Sequence, residues 1–276
     1  MNFYIFCSIS GEMPSSFTAL YVQNAQRNSV QNAILPCEQE EYVVKFQKEV
    51  RNMKDIPMFT TEYGVASLSL SQIPYRREAY IRIRSVQPGK LAELLKECVG
   101  FCRAVGAELV YAADCDELER YLLKAAVIEM QGDAIVDWEK VEHIFPVTEQ
   151  TVAHWREICN NRMAGVDCAT TLSAGDEKRI LASGGAYFVH HNGELLGTGW
   201  MEEDKLLLIC GTKPGAGKRV LHTMLSLNEG GRVRLEVAST NDRAIRLYEN
   251  NGFIRTGELI RWYLVFDQHG KNVQID

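Results

Sequence analysis

Residues 235–253, Leu-Glu-Val-Ala-Ser-Thr-Asn-Asp-Arg-Ala-Ile-Arg-Leu-Tyr-Glu-Asn-Asn-Gly-Phe, narrow the folding choices of this chain more than any other stretch. They predict a strand ending in polar residues, a short helix, a glycine stop and an aromatic that opens another strand. Ala244, Leu247 and Tyr248 recur at the three-and-four spacing of one helix face. Asn241 stands at the strand-to-helix junction, where its side chain is expected to bond a free amide of the first turn. Gly252 lies just past the helix, where a left-handed cap favours glycine.

Upstream, residues 206–217 read Leu-Leu-Leu-Ile-Cys-Gly-Thr-Lys-Pro-Gly-Ala-Gly, and Val220, Leu221, Met224 and Leu225 follow as a stripe. The apolar run predicts a buried strand and the stripe a helix. Between them, Gly215 and Gly217 let the backbone approach a ligand closely. A helix N-terminus adds partial positive charge, so the loop suits a pyrophosphate. A nucleotide P-loop is excluded. It needs glycine five residues before Gly217 and Ser or Thr after Lys218, and the chain has Thr212 and Arg219. No third glycine completes a dinucleotide fingerprint.

The pattern Asn-x-x-Ala-x-x-Leu-Tyr-x-x-x-Gly-Phe, from Asn241 to Phe253, resembles the late motif of the GNAT acyl-CoA-dependent N-acetyltransferases. The resemblance implies an α/β (α+β) fold, a mixed and mostly antiparallel sheet flanked by helices. It implies acetyl-CoA as cofactor and direct acetyl transfer to a primary amine of a small molecule or peptide. The family's Gln/Arg-x-x-Gly-x-Gly/Ala loop falls on Thr212 to Gly217, with Thr212 in the Gln/Arg position. By carry-over, the amides of Lys213, Gly215, Gly217 and Lys218 hold the pyrophosphate. Backbone groups near Leu207 and Ile209 pair with the pantetheine amides. The strands carrying Cys210 and Val237 splay to admit the cofactor, and Asn241 fixes its pantetheine arm. Tyr248 donates its phenolic proton to the sulfur. Glu203, with Asp204 beside it, falls where many members carry an acidic base; a solvated turn at Glu202–Asp204 is the competing reading. The alternative function is a non-catalytic acyl-CoA-binding sensor or an interaction protein, suggested by the altered Thr212 loop.

The 276 residues are a soft prior for two domains. A net charge of -6 without a basic block excludes a nucleic-acid footprint. No apolar run approaches the roughly 20 residues of a membrane span. Met1–Cys7 is apolar but lacks the basic start and cleavage site of a signal peptide, so a cytoplasmic protein is expected. Eight cysteines show no zinc spacing; Cys98 and Cys102 are the one close pair, and no metal site is expected. His190 and His191 sit on a predicted strand and face opposite ways.

From Val141 the expected order is a strand at 142–146, a helix over 148–163, a cap at 173–177 and a second helix. A hairpin turning at Asn192-Gly193 follows, then the cofactor strand and helix, a strand at 232–237, the Tyr248 helix and a strand at 260–266. The first half echoes this: a strand at 79–84, Pro88-Gly89, a helix through Leu91 and Cys98, a strand at 108–113 and a helix over 116–123. It resembles a degenerate acetyltransferase half without the functional residues. Two similar halves are therefore expected, 1–137 and 138–276, with the joint near Gly132 to Lys140 and Trp138 packed there. The first half is expected to supply a lid or a homodimer surface.

Overall fold

The computed structural model describes residues 58–270, so the expectation for Met1–Cys7 lies outside the described residues. Within them are two compact units, 58–123 with 262–270, and 124–261.

The N-terminal unit runs β1 (Met58–Thr60), β2 (Gly64–Ser69), α1 (Ile73–Arg76), β3 (Glu78–Val86), α2 (Leu91–Ala104) and β4 (Leu109–Ala113). The alternation predicted for 79–84 places Ala79, Ile81 and Ile83 on one face, where they bury against Leu91, Leu94, Leu95 and Cys98 of α2. β3 and β4 are parallel and paired from Glu78↔Leu109 through Arg82↔Ala113. The helix expected over 116–123 is not there. Asp116–Arg120 forms a single 3-10 turn whose one buried residue is Leu118, too little apolar surface to hold a helix. A long strand, β5 (Leu122–Asp133), takes over.

The C-terminal unit continues with β6 (His143–Pro146), α3 (Val152–Met163), α4 (Glu177–Ser183), β7 (Ala186–His191), β8 (Glu194–Glu202), β9 (Lys205–Gly211), α5 (Ala216–Leu225), β10 (Arg232–Ala238), α6 (Asp242–Glu249) and β11 (Ile254–Asp267). Its strand order is β11-β5-β10-β9-β8-β7-β6. β9 and β10 are parallel, and the printed pairs of β6 through β9 and of β10 with β5 are antiparallel. This is the mixed, mostly antiparallel sheet flanked by helices that the sequence implied. Asn192 and Gly193 make the expected hairpin turn, both at positive φ. Ser173 and Asp176 form the expected capping box.

One face of this sheet buries Leu206, Ile209, Leu235 and Val237 against Val220, Leu221 and Met224 of α5 and Tyr248 of α6. The other buries Leu207, Leu208, Cys210 and Trp200 against Trp155 and Cys159 of α3 and Ile180 of α4. A Cβ at Gly199 of β8 would stand 2.3 Å from Met224 Sδ, so glycine there lets α5 lie down on the strand.

The last strand of each unit comes from the other half of the chain. β5 pairs with β10 over seven positions, Arg232↔Asp133 through Ala238↔Val127. The end of β11 pairs with β4, Tyr263↔Ala112 and onward. The units therefore part between Leu123 and Lys124, and Trp262 onward returns to the first one. A cut at 137/138 would strip β10 of β5. Trp138, expected at a joint, is 58% exposed on a 3-10 turn. No helix among the described residues is long and apolar enough to cross a membrane.

Candidate active site

Two adjacent parallel strands that separate part-way define the site. β9 and β10 are in register at Arg234↔Lys205 and Leu235↔Leu206, and there the pairing ends. Beyond it, β10 stays on β5 to Ala238, and β9 stays on β8 to Gly211. The expected splay between the Cys210 and Val237 strands is thus present. The register on β8 jumps from Trp200↔Leu208 to Met201↔Leu206, which leaves Leu207 as an extra residue. The bulge frees a backbone position of β9 where β10 leaves it, and it explains why Leu207 and Leu208 both face the α3 side. Leu207 and Ile209, expected to offer backbone groups, both lie on this unpaired length.

At the end of β9 the chain turns into α5. Gly215 caps that helix at φ 83, a left-handed conformation. A Cβ there would meet nothing within 4 Å, so the demand for glycine is conformational rather than steric. Gly215→Ala should cost about 1–2 kcal/mol of folding stability, measured by urea denaturation; an unchanged midpoint would mean that the loop relaxes freely. Helix geometry leaves the amides of Gly217 and Lys218 without intrahelical partners. Thr212 is differently engaged. Its amide donates to Leu196 O at 2.7 Å, its hydroxyl to Leu195 O at 2.6 Å, and its carbonyl accepts from Arg162 at 2.5 Å. Thr212 thus latches the loop to β8 and has no polar group left for a ligand. The Lys213 side chain is paired with Glu194, which leaves its backbone as the part facing the loop.

α6 follows β10. Asn241 caps it, its Oδ1 accepting from Ala244 N at 3.2 Å, as its position predicted. Asn241→Ala should cost about 1 kcal/mol, read as a lowered denaturation midpoint. Its Nδ2 is buried and has no partner. Tyr248 is fully buried, and its hydroxyl also lacks a partner. Burial first, and Cys210 second, push the phenol far above its ordinary pKa, so it holds its proton. Cys210 belongs to the unpaired length of β9. Two buried donors, an amide and a phenol, therefore flank the opening with nothing to bond. Buried polar groups are rarely left so, and these fit a ligand with a polar arm and a leaving atom that needs a proton.

Glu203 is exposed and lies at φ 51 in the β8–β9 turn. Asp204 beside it is held by Arg234 through two 3.0 Å hydrogen bonds, which keep its carboxyl below the usual range. The turn sits at the paired end of β9, so the competing reading, a solvated acidic turn, describes it. Sequence reasoning missed two features, the Leu207 bulge and the buried carboxylate of Glu236 on β10, bonded by Lys205. A lone glutamate inside the apolar alternation of 232–238 was the available signal for the second. Burial raises both the Cys98 and Cys102 thiols, Cys102 to about 12, which suits packing and not metal ligation. Among the described residues no group of His, Cys, Asp and Glu could hold a metal ion.

Two solved structures share this architecture. One is a GCN5-related N-acetyltransferase from Anabaena variabilis, with a TM-score of 0.50 and 10% identity over 78% of this chain and 63% of that one. The other, from Kribbella flavida, has a TM-score of 0.50 and 13% identity over 76% of this chain and 60% of that one. By fold, this chain is a GNAT-superfamily member. Over 51 residues it is 45% identical to the N-alpha-acetyltransferase RimI of Mycobacterium tuberculosis. That match covers 18% of this chain and 32% of RimI, about a third of the curated relative's length. No family model matches the sequence. In this GNAT fold the diverging parallel strands, the glycine-capped α5 and the Tyr248 helix belong to a single unit.

Proposed function

We propose that the chain is an acetyl-CoA-dependent N-acetyltransferase that moves an acetyl group directly to a primary amine of a small molecule or peptide. The observation that carries this is the pair of unsatisfied buried donors, Tyr248 Oη and Asn241 Nδ2, beside strands that part after Leu206 and Leu235. The local likeness to an N-alpha-acetyltransferase supports an amine acceptor.

Acetyl-CoA, when bound, supplies a thioester carbonyl open to attack and a thiolate leaving group. The chain's own residues do the rest. The amides of Lys213, Gly215, Gly217 and Lys218 present a row of donors at a helix N-terminus, a setting that favours diphosphate. Backbone groups at Leu207 and Ile209, free of β10, extend the sheet edge to an amide-bearing arm. Asn241 Nδ2 donates to that arm. Tyr248 keeps its proton until sulfur charge develops beside it, then donates it.

The N-terminal unit is read as the degenerate counterpart, and cofactor is expected in the C-terminal unit alone. Its parallel pair, β3 and β4, stays in register over all five positions from Glu78 to Arg82 and leaves no opening. The chain is further proposed to work in the cytoplasm, with the N-terminal unit as a lid or homodimer surface. The rival is an acyl-CoA sensor without turnover, favoured by the fully engaged Thr212. Titration calorimetry with acetyl-CoA, followed by turnover on a panel of amines, separates the two. Binding with turnover supports the enzyme, binding alone supports the sensor, and no binding removes both.

A further inference from the structure

This inference rests on the acetyltransferase reading and concerns which residue meets the acceptor. Glu236 is the first residue of β10 beyond its last pair with β9, Leu235↔Leu206. Leu235 and Val237 point into the core under α5 and α6. Alternation turns Glu236 to the opposite face, where Leu207 and Cys210 pack with Trp155 and Cys159 of α3. There it is 6% exposed, a buried carboxylate where the strands separate and β9 bulges. Lys205 Nζ donates to its Oε1. Across β5 it stands opposite Glu129, whose Oε2 accepts from Thr256 Oγ1 at 2.9 Å. That row carries two carboxylates against one ammonium.

A buried Lys–Glu pair adds little stability over apolar residues of similar volume, so packing alone gives no reason for it. An independent feature marks the same opening. The fully buried Tyr248 hydroxyl, without a partner, lies beside the unpaired length of β9. A proton donor and a carboxylate thus flank one gap between two strands, approached from opposite faces of the sheet.

We infer that Glu236 receives the acceptor, and that the acceptor is a cationic primary amine, an alkylammonium. The Glu236 carboxylate orients the ammonium and takes one of its protons. The freed nitrogen pair forms the C–N bond to the acyl carbon while the C–S bond breaks. The sulfur keeps that electron pair and takes the Tyr248 proton. Glu236 then releases its proton to water, from which Tyr248 is reprotonated. Lys205 is the positioning residue that fixes the carboxylate, and Glu129 adds negative charge that favours a cation.

The test uses the full chain, acetyl-CoA calorimetry and steady-state turnover with spermidine, a peptide with a free N-terminus, and aniline. With Glu236→Gln, kcat/KM for the two alkylamines should fall about 10²-fold, and the acidic limb of its pH profile should vanish. Acetyl-CoA affinity should stay within twofold, and aniline should be affected far less. Glu236→Asp keeps the charge and should retain the acidic limb at reduced rate; it carries the test if the Gln variant does not fold. Parental kcat/KM in a folded Glu236→Gln would overturn the inference, as would a loss found in Glu203→Gln instead. A parent that binds acetyl-CoA and acetylates none of these amines overturns the inference and leaves the sensor reading standing. A parent that binds no acetyl-CoA overturns both readings.

Discussion

Tyr248→Phe should lower turnover by about 10²-fold, the lower range for loss of a general acid, and should make the ligand-free protein more stable by about 1 kcal/mol. The two effects have one cause. The Tyr248 hydroxyl is buried with no hydrogen-bond partner, so folding desolvates it without compensation. Phenylalanine keeps the ring, which packs 5.8 Å from that of Phe253, and removes only the oxygen. A tyrosine kept for structure would bond its hydroxyl, and its Phe variant would be destabilised. Stability given up at a position that improves catalysis is the usual trade at active sites. The measurements are urea denaturation without ligand, acetyl-CoA affinity, and turnover with an authentic acceptor. Affinity should barely change, because the proton donation is made mainly in the transition state. Undiminished turnover with a lowered denaturation midpoint would return Tyr248 to the core and leave water as the proton source.

The C-terminal unit was legible because its elements are specified locally. Asn241, the Ala244–Leu247–Tyr248 stripe and Gly252 each answer a short-range demand, a cap, a buried face and a left-handed turn. The structure meets them with an Asn241 cap bond and Gly252 at φ 85. What escaped was long-range. Lys124 to Asp133 offers no turn chemistry and only broken alternation, and it becomes a strand because β10 pairs with it along seven residues. The domain boundary shifted for the same reason, since an exchanged final strand leaves no mark in composition. The acidic base expected at Glu203 came from counting back along the chain. A count of residues cannot see the bulge at Leu207, nor that the strands open at Leu235 rather than at the turn. The glycine loop was read correctly as a helix cap. That Thr212 spends every polar group on β8 and Arg162 needed the coordinates.

Phe253→Ala should be the most damaging single truncation near the site, costing about 3–5 kcal/mol, the sum of lost transfer energy and an uncollapsed cavity. Phe253 is 2% exposed. Its amide closes the end of α6 by donating to Tyr248 O at 3.1 Å, so the residue fixes the helix that carries the proton donor. On its other side, a Cβ at Gly132 of β5 would come within 2.9 Å of the ring. Glycine is there because the ring lies directly on the strand, and neither β5 backbone nor α6 can move in to fill the gap. The strand comes from the first half of the chain and the ring from the second, so the loss should report on the exchanged-strand architecture as well as on the site. Chemical denaturation followed by Trp155 and Trp200 fluorescence would read it, since both indoles are buried in the C-terminal unit. Phe253→Leu, which retains most of the volume, should cost under about 1.5 kcal/mol. Turnover in the Ala variant, assayed well below its transition, should fall further than acetyl-CoA affinity, because the loosened group is Tyr248. A loss under about 1 kcal/mol would mean that the ring does not seal β5 against α6, and that Tyr248 is held by something else.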